Sequence, residues 1–171
     1  MNIYEAVGNK KRFLSLLLLA DEQESMVDRY LEDGTMYVLD DGGIRAQCVV
    51  LDAGGGILEI KNIATEPAFQ GRGYGRALIE FVEERYRGRY SALQVGTGES
   101  PLTVPFYEKC GFVYHHRLKG FFTENYDHPI YECGVLLKDM VVLRKSLSPE
   151  EKGRKEECPE RERRQEEGKA Q

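Results

Sequence analysis

The segment QGRGYGR brings together residue types that bind an anion. Gly71, Gly73 and Gly75 stand at every second position, and Arg72 and Arg76 supply positive charge. A glycine leaves its backbone N–H uncovered and accepts positive φ angles, so a ligand can approach the main chain closely. An apolar, helix-forming stretch follows at once, and the first N–H groups of a helix form a ready site for phosphate. The segment therefore predicts a backbone cradle for a phosphate group.

Spacing separates this segment from two better-defined phosphate motifs. A P-loop requires Gly-x4-Gly-Lys-Ser/Thr, and no Lys-Ser/Thr pair follows the glycines. The dinucleotide fingerprint requires Gly-x-Gly-x-x-Gly, and Gly75 comes one residue too early for it. A tight loop between a strand and a helix, without any ligand, is the alternative interpretation of the same residues.

Hydrophobic periodicity indicates the elements that must position this segment. Strands are expected at residues 2–7, 35–41, 44–52, 56–65, 90–97, 113–118 and 135–145. Helices are expected at residues 10–20, 22–34, 74–87 and 100–112. In the last helix Ser100 is the expected N-cap, and Pro105 predicts a local distortion. Antiparallel strands come first and later strands alternate with helices, so the sheet should be mixed, with helices on its faces.

Composition limits the classes of protein to which the chain can belong. The 171 residues include 41% hydrophobic residues and carry a formal net charge of −5, and we expect one globular domain over residues 1–147. A negative chain without a clustered basic surface is not expected to bind nucleic acid. The four cysteines and three histidines lack metal-ligand spacing, so we expect no metal and reduced thiols in a cytoplasmic protein.

The run KKRFLSLLLLA has some features of a signal peptide. Its cleavage rule requires small residues at two positions, however, and Leu18 occupies the first of them. The apolar core of eight residues is also too short to span a bilayer. We therefore expect neither export nor a membrane segment.

The character of the chain changes at Ser148. Residues 148–171 contain eight acidic and seven basic residues, two prolines and no Val, Ile, Leu, Met, Phe or Tyr. Such a segment cannot contribute to a core. We expect a charged tail that is disordered or forms a short solvated helix.

Two further stretches accompany the glycine segment. The strand EIKNIATEP, residues 59–67, precedes it, and FYEKCGF, residues 106–112, follows one helix and one strand later. Gln70, Gly73 and Gly75 also match the pattern Gln/Arg-x-x-Gly-x-Gly/Ala. With this order of motifs the chain resembles the GNAT superfamily of acyl-CoA-dependent N-acetyltransferases, in its small stand-alone bacterial form. The resemblance extends to about residue 146 and implies an α/β fold with a twisted, largely antiparallel mixed sheet of about seven strands and helices on both faces.

The resemblance implies acetyl-CoA as cosubstrate, with its pyrophosphate on the backbone of the glycine segment. In that family the preceding strand bulges and separates from its neighbour, and pantetheine lies in the gap like an additional strand. The N–H of the bulge, assigned to Ile63, would polarise the thioester carbonyl. The residues implied in coenzyme A binding are Ile63, Ala64, Thr65, Gln70, Gly71, Arg72, Gly73, Tyr74, Gly75, Arg76 and Ser100.

The resemblance also assigns Glu59 as general base, directly or through water, and Tyr107 as the acid that protonates the departing thiolate. Two alternatives stay open: Glu59 as an ordinary strand residue that faces solvent, and Tyr107 as a packed helix aromatic. The family often has an asparagine where this chain has Ser100, so an amide contact to pantetheine or to the acceptor is lost or weakened. Pro105 in the same helix could shift Tyr107.

The stretch KGFFTENYDHPIYECG, residues 119–134, is the expected wall of an acceptor pocket. Its aromatic residues alternate with acidic ones, and together these groups suit an ammonium ion. The same aromatic residues could instead close the core at the sheet edge or form the surface of a homodimer. The expected reaction moves an acetyl group from acetyl-CoA to the primary amine of a small molecule or peptide. A non-catalytic acyl-CoA-binding or sensing module is the alternative.

Overall fold

The structure is a computed structural model, and it describes residues 1–148. Its strands are β1 (Asn2–Glu5), β2 (Thr35–Asp40), β3 (Ile44–Gly54), β4 (Ile57–Thr65), β5 (Ala92–Gly98), β6 (Val113–Leu118), β7 (Tyr131–Glu132), β8 (Val135–Leu136) and β9 (Met140–Ser146). Seven of them form one sheet in the order β1-β2-β3-β4-β5-β9-β6, while β7 and β8 pair separately. The pairing of β4 with β5 is parallel and the others are antiparallel. This sheet confirms the predicted fold class.

Helices cover both faces of the sheet. They are α1 (Leu14–Leu17), α2 (Glu24–Val27), α3 (Tyr74–Tyr86), α4 (Thr103–Lys109) and α5 (Phe121–Asn125), with 3₁₀ turns at Lys10–Phe13 and Pro67–Phe69. The core on one face includes apolar residues of α3 and α4, and the core on the other includes apolar residues of α1 and α2. We call these the α3 face and the α1–α2 face.

Strand alternation divides the sheet residues between these two cores. Cys48 and Val50 of β3 pack in the core of the α3 face, and Val49 between them packs on the α1–α2 face. On α3, Leu78 and Val82 are fully buried against the sheet, as their helical spacing predicts.

The first two helices are shorter than predicted for residues 10–20 and 22–34. Each has one regular α-helical turn, and beyond α2 the N–H groups of Arg29 and Tyr30 bond three residues back instead of four. Tyr30 and Leu31 are nevertheless buried, as the periodicity predicts. The hydrophobic periodicity therefore predicted correctly which side chains are buried. The backbone, however, forms tighter turns there instead of a regular α-helix.

The predicted distortion at Pro105 does not occur. The helix α4 begins at Thr103, which places Pro105 in its first turn. N–H groups of the first turn have no partner within the helix, so a proline there breaks no hydrogen bond. Ser100 lies ahead of the helix, where its Oγ accepts hydrogen bonds from the N–H groups of Leu102 and Thr103 at 3.3 and 3.2 Å. Ser100 thus caps the turn that leads into α4.

The connection between β6 and β9, residues 119–139, has its own small apolar core. That core comprises Phe122, Ile130 and Leu137, with Phe121, Tyr126 and Met140 around it. A Cβ at Gly96 or Gly98 of β5 would overlap the side chain of Met140 or Leu137. Because Val95 faces α3, these neighbouring glycines face the other way, so the connection covers the end of β5 on the α1–α2 face. The predicted tail, residues 148–171, lies outside the described residues after Ser148 and stays a prediction, as does the domain boundary.

Candidate functional site

The glycine segment forms an open loop at the start of α3. Gly71 has a φ of +74°, and Gly73, the N-cap of α3, has a φ of +86°. A Cβ built at either position would meet no heavy atom within 4 Å. At Gly75 a Cβ would come within 3.2 Å of the Phe106 ring. The first two glycines therefore expose backbone to open space at a helix N-terminus, and Gly75 allows α3 to pack closely against α4.

Two side chains hold this loop to the strands behind it. Gln70 donates from Nε2 to the carbonyl oxygen of Thr65 at 3.3 Å. The Tyr74 hydroxyl donates to Asp41 Oδ2 at 2.7 Å, and this hydrogen bond raises the pKa of Tyr74. The loop is thus tied to the end of β4 and to the β2–β3 turn.

The two arginines of the loop have different surroundings. Arg76 donates from Nη2 to the carbonyl oxygen of Lys109 at 2.8 Å, at the C-terminus of α4. The Arg72 guanidinium lies over the Phe69 ring, 5.0 Å from its centroid. Arg76 therefore fixes α3 to α4, while Arg72 stacks on an aromatic ring beside the loop.

The parallel strands β4 and β5 separate halfway along their length. They pair from Ile57 opposite Ala92 to Ile60 opposite Val95, and β4 then runs on to Thr65 and β5 to Gly98 without pairing. Backbone groups on the facing edges of the unpaired halves are left available. The separation creates a gap that ends beside the glycine loop, and an extended chain could pair with its edges.

A bulge in β4 marks the start of this gap. Val49 of β3 pairs with Asn62 and Val50 pairs with Ile60, so Lys61 has no residue opposite it. Such an extra residue bends a strand and re-aims the side chains that follow.

The bulge therefore lies at Lys61 and not at Ile63, where the sequence placed it. Beyond the bulge Ile63 lies in regular register with β3. Glu66 donates from its N–H to the carbonyl oxygen of Arg45 at 2.7 Å, toward β3. Since N–H directions alternate along a strand, Ala64 also directs its N–H toward β3, while Ile63 and Thr65 direct theirs into the gap.

Glu59 lies on the α1–α2 face, just before the gap. Lys61 Nζ donates to its Oε1 at 3.1 Å, and Gln94 Nε2 donates to its Oε2 at 3.2 Å. Gln94 in turn accepts from Arg144 Nε at 2.7 Å. The Glu59 side chain is 20% exposed, so it is no freely solvated strand residue. Each carboxylate oxygen has a further lone pair that can accept another hydrogen bond.

Tyr107 lies on the α3 face, across the sheet from Glu59. It is buried, and its ring packs edge-to-face against Phe106 and Phe112. Burial is the main cause that raises the pKa of Tyr107 well above its ordinary value. The phenol is therefore protonated at neutral pH, and because a raised pKa makes it a weaker acid, it can protonate a thiolate only through a hydrogen bond or in a transfer concerted with bond cleavage.

The hydroxyl of Ser100 is engaged within the protein. Besides capping the turn before α4, its Oγ lies 3.0 Å from the Oγ1 of Thr103, and the residue is only 5% exposed. Of the predicted binding residues, Ile63 and Thr65 face the gap, Ala64 directs its N–H toward β3, and Ser100 stabilises the start of α4.

A buried polar network beside the bulge was missed by the sequence analysis. Asp21 accepts hydrogen bonds from the hydroxyls of Tyr126 at 2.7 Å and Tyr30 at 3.1 Å. Asn62 donates to the Tyr30 hydroxyl at 2.9 Å and accepts from Gln47. Burial raises the pKa of Asp21, although the two phenols oppose that rise. The available signal was Gln47 and Asn62, two amides in otherwise apolar strand positions.

No group of three or more His, Cys, Asp or Glu side chains in residues 1–148 could hold a metal ion. No helix in that same range is long and apolar enough to cross a membrane.

Comparison with known proteins shows which protein family the chain is similar to. Residues 32–114 match a family described as an acetyltransferase (GNAT) domain. An uncharacterized N-acetyltransferase of Bacillus subtilis, YvbK, is 35% identical over 131 residues, which cover 75% of this chain and 84% of that protein.

Solved structures agree with this assignment. A GNAT family acetyltransferase from Elizabethkingia anophelis with acetyl-CoA bound has a TM-score of 0.80 and 32% identity, covering 85% of this chain and 97% of its own. An IAA acetyltransferase from Bacillus cereus has a TM-score of 0.77 and 33% identity, with coverages of 85% and 98%. An acetyltransferase of Bacillus subtilis in complex with CoA has a TM-score of 0.77 and 31% identity, with coverages of 85% and 97%.

Proposed function

Because the chain belongs to the GNAT family of acetyl-CoA-dependent acetyltransferases, we propose that it acetylates a primary amine, which attacks the thioester directly. The observation that carries this proposal is the gap between β4 and β5, which ends at the open glycine loop. The gap suits an extended chain such as pantetheine, and the loop suits a pyrophosphate. Acetyl-CoA combines these two chemical features in one molecule.

Coenzyme A is held mainly by backbone in this proposal. The N–H groups at Gly71 and Gly73 and the first turn of α3 bind the pyrophosphate, and Arg72 adds positive charge from the side. In the gap, the C=O of Ile63 and the N–H and C=O groups of Thr65 pair with the amides of pantetheine, and the N–H of Ile63 is kept for the thioester. Side chains of the loop chiefly keep this backbone in place.

The N–H of Ile63 is the proposed donor to the thioester carbonyl. Attack by the amine nitrogen forms a C–N bond and places negative charge on that oxygen in the tetrahedral intermediate. One donor aimed at such an oxygen is worth about 3–4 kcal/mol in acyl transfer. Expulsion of the thiolate then breaks the C–S bond and restores the carbonyl as an amide.

Proton transfers on the two sides of the sheet complete the reaction. With an ordinary pKa near 10.4, only roughly one amine in a thousand is neutral at pH 7, a cost of about 4–5 kcal/mol. Glu59 on the α1–α2 face accepts a proton from the amine, directly or through water. Tyr107 on the α3 face donates its phenolic proton to the thiolate. In this proposal the amine and the thiolate are served from opposite faces of the sheet.

Two predictions about the setting stay proposals. The free thiols of Cys48, Cys110 and Cys133 agree with a cytoplasmic protein. The exposed aromatic Tyr131 on the connection agrees with a homodimer surface as well as with an acceptor wall.

A panel of amines tests the proposed function. The full chain is incubated with acetyl-CoA and each amine, and the release of free coenzyme A thiol is followed with time. We expect saturable thiol release with a subset of primary amines and an equal amount of acetylated amine. Binding of acetyl-CoA without release for any amine would favour the alternative, a non-catalytic acyl-CoA-binding module.

A further inference from the structure

The side-chain ammonium of Lys61 lies among groups that attract a cation. It donates to Glu59 Oε1 at 3.1 Å and lies 5.7 Å from the centroid of the Tyr30 ring. The hydroxyl of the same Tyr30 donates to Asp21 Oδ2 at 3.1 Å, which brings a second carboxylate near the ammonium. Carboxylates combined with an aromatic face are the groups by which proteins recognise an ammonium ion. The surroundings of Lys61 thus form a site for a primary ammonium group, and a side chain of the protein occupies it.

The place of this ammonium follows from the bulge in β4. Lys61 is the residue without a partner on β3, and it directly follows the last residue of β4 that pairs with β5. The ammonium therefore lies where the gap begins, on the face that carries Glu59. The Lys61 side chain is 30% exposed, so solvent reaches this place.

The hydrogen-bond donors to the Asp21 side chain are uncharged, so none of them compensates the negative charge of its carboxylate. Its two hydroxyl donors, Tyr30 and Tyr126, are uncharged, and Asp21 is only 9% exposed. A buried carboxylate is costly unless a positive charge compensates it. The Tyr30 side chain links the two groups, because its hydroxyl donates to Asp21 at 3.1 Å and its ring centroid lies 5.7 Å from the Lys61 ammonium, so Lys61 is a cation near this carboxylate. Tyr126 belongs to the connection that covers the end of β5, so Asp21 also joins the two covers of the α1–α2 face.

We infer that Lys61 occupies, in the free protein, the site that the ammonium group of the acceptor takes during the reaction. Glu59 and Asp21 supply the negative charge of the site and Tyr30 its aromatic face. The long, flexible Lys61 side chain turns to solvent when the acceptor enters. This inference rests on the proposed function and narrows its acceptor class. Two carboxylates at the site favour an amine that carries no carboxylate beside it, in contrast to the α-amine of a free amino acid.

Binding of a bare ammonium probe tests the inference without any acetyl transfer. The probe is n-butylammonium chloride, and n-butanol is its uncharged control. Binding to the full chain is followed by NMR shifts of the Tyr30 ring. Removal of the competing charge in Lys61→Met should lower the Kd of the probe about tenfold, and loss of a carboxylate in Asp21→Asn or Glu59→Gln should raise it about tenfold. Lys11→Met, which removes a lysine paired with Glu24 and Asp28 on the surface, should leave the Kd unchanged.

Several results would overturn the inference. They are a Kd that stays the same or rises in Lys61→Met, a Kd that stays the same in both carboxylate variants, or equal shifts with n-butanol. Asp21→Asn and Glu59→Gln test the same expectation independently. If circular dichroism shows that one of them is misfolded, the Kd of the other tests the inference. Calorimetric titration of the unaltered protein and of Lys11→Met with acetyl-CoA runs beside these measurements and should give one Kd for both. Failure of the unaltered protein to bind acetyl-CoA would instead count against the proposed function, whatever the probe does.

Discussion

Replacement of Gly73 by valine should nearly abolish acetyl-CoA binding while leaving the fold intact. Gly73 has a φ of +86°, in the left-handed region that a β-branched residue avoids. A valine at position 73 would not clash with the rest of the protein, because a Cβ there meets no heavy atom within 4 Å. The open volume is instead the one proposed for the pyrophosphate. A side chain there would fill it and would force the N–H groups of the loop out of position.

A second glycine of the chain provides a matched control. Gly8 has a φ of +81° and an equally open surrounding, and it lies between β1 and the first 3₁₀ turn, away from the loop. Either valine should cost about 1–3 kcal/mol of folding free energy from backbone strain. For a chain of this size that lowers the Tm by roughly 2–10 °C. The two variants thus share the backbone strain, but only Gly73→Val also alters the loop proposed to bind acetyl-CoA.

The expected loss of binding is specific to Gly73→Val. Two charge-assisted hydrogen bonds from backbone to phosphate, each worth about 1.5–3 kcal/mol, correspond to at least about a 100-fold rise in Kd. Isothermal titration calorimetry with acetyl-CoA measures this rise, and thermal melts check the folding of both variants. Arg72→Ala should weaken binding only several-fold, since Arg72 assists from the side. An unchanged Kd in Gly73→Val, or an equal loss in Gly8→Val, would refute the pyrophosphate assignment.

Three further predictions concern turnover. Tyr107→Phe keeps the ring packed against Phe106 and Phe112 and removes the proton donor, so the acetyl-CoA Kd should hold while kcat falls about 100-fold; near-normal kcat in a thiol-release assay would show that Tyr107 is structural. Glu59→Gln should lower kcat at pH 7 and recover part of it as pH rises, because more of the amine is then already neutral; a pH profile without any recovery would assign the base to another group. Removal of residues 150–171, which lack large apolar side chains, should change neither kcat nor Tm, and a loss of either would contradict the expected tail.

The glycine loop and the sheet could be predicted because their signals are local. Gly73 and Gly75 stand between a strand pattern and a helix pattern, and both patterns depend on residues only a few positions apart. The sequence of strands and helices was therefore correct over most of the chain. The lengths of α1 and α2 were not, since the periodicity of buried residues is much the same in tight turns and in regular helix over so short a stretch.

The remaining errors concern contacts between distant parts of the chain. Asp21 and Tyr126 meet across 105 positions, and neither residue type indicates such a pairing. The bulge at Lys61 depends on the register between β3 and β4, which side-chain alternation in one strand does not define. Pro105 was expected to distort a helix, and only the true start of α4 made it harmless. In each case the missing information was a tertiary distance or a register.

The bulge in β4 links the two halves of the proposed chemistry. Glu59 lies opposite Leu51 and Asn62 lies opposite Val49, and both partners pack on the α1–α2 face. Residues three apart in a regular strand point to opposite faces, so Lys61 as an additional residue is what places Glu59 and Asn62 on the same side. Beyond Lys61, every second N–H group of β4 points into the gap, and β5 does not pair with these groups. One inserted residue thus brings the proposed ammonium site and the N–H groups proposed to bind the thioester to the same point of the sheet.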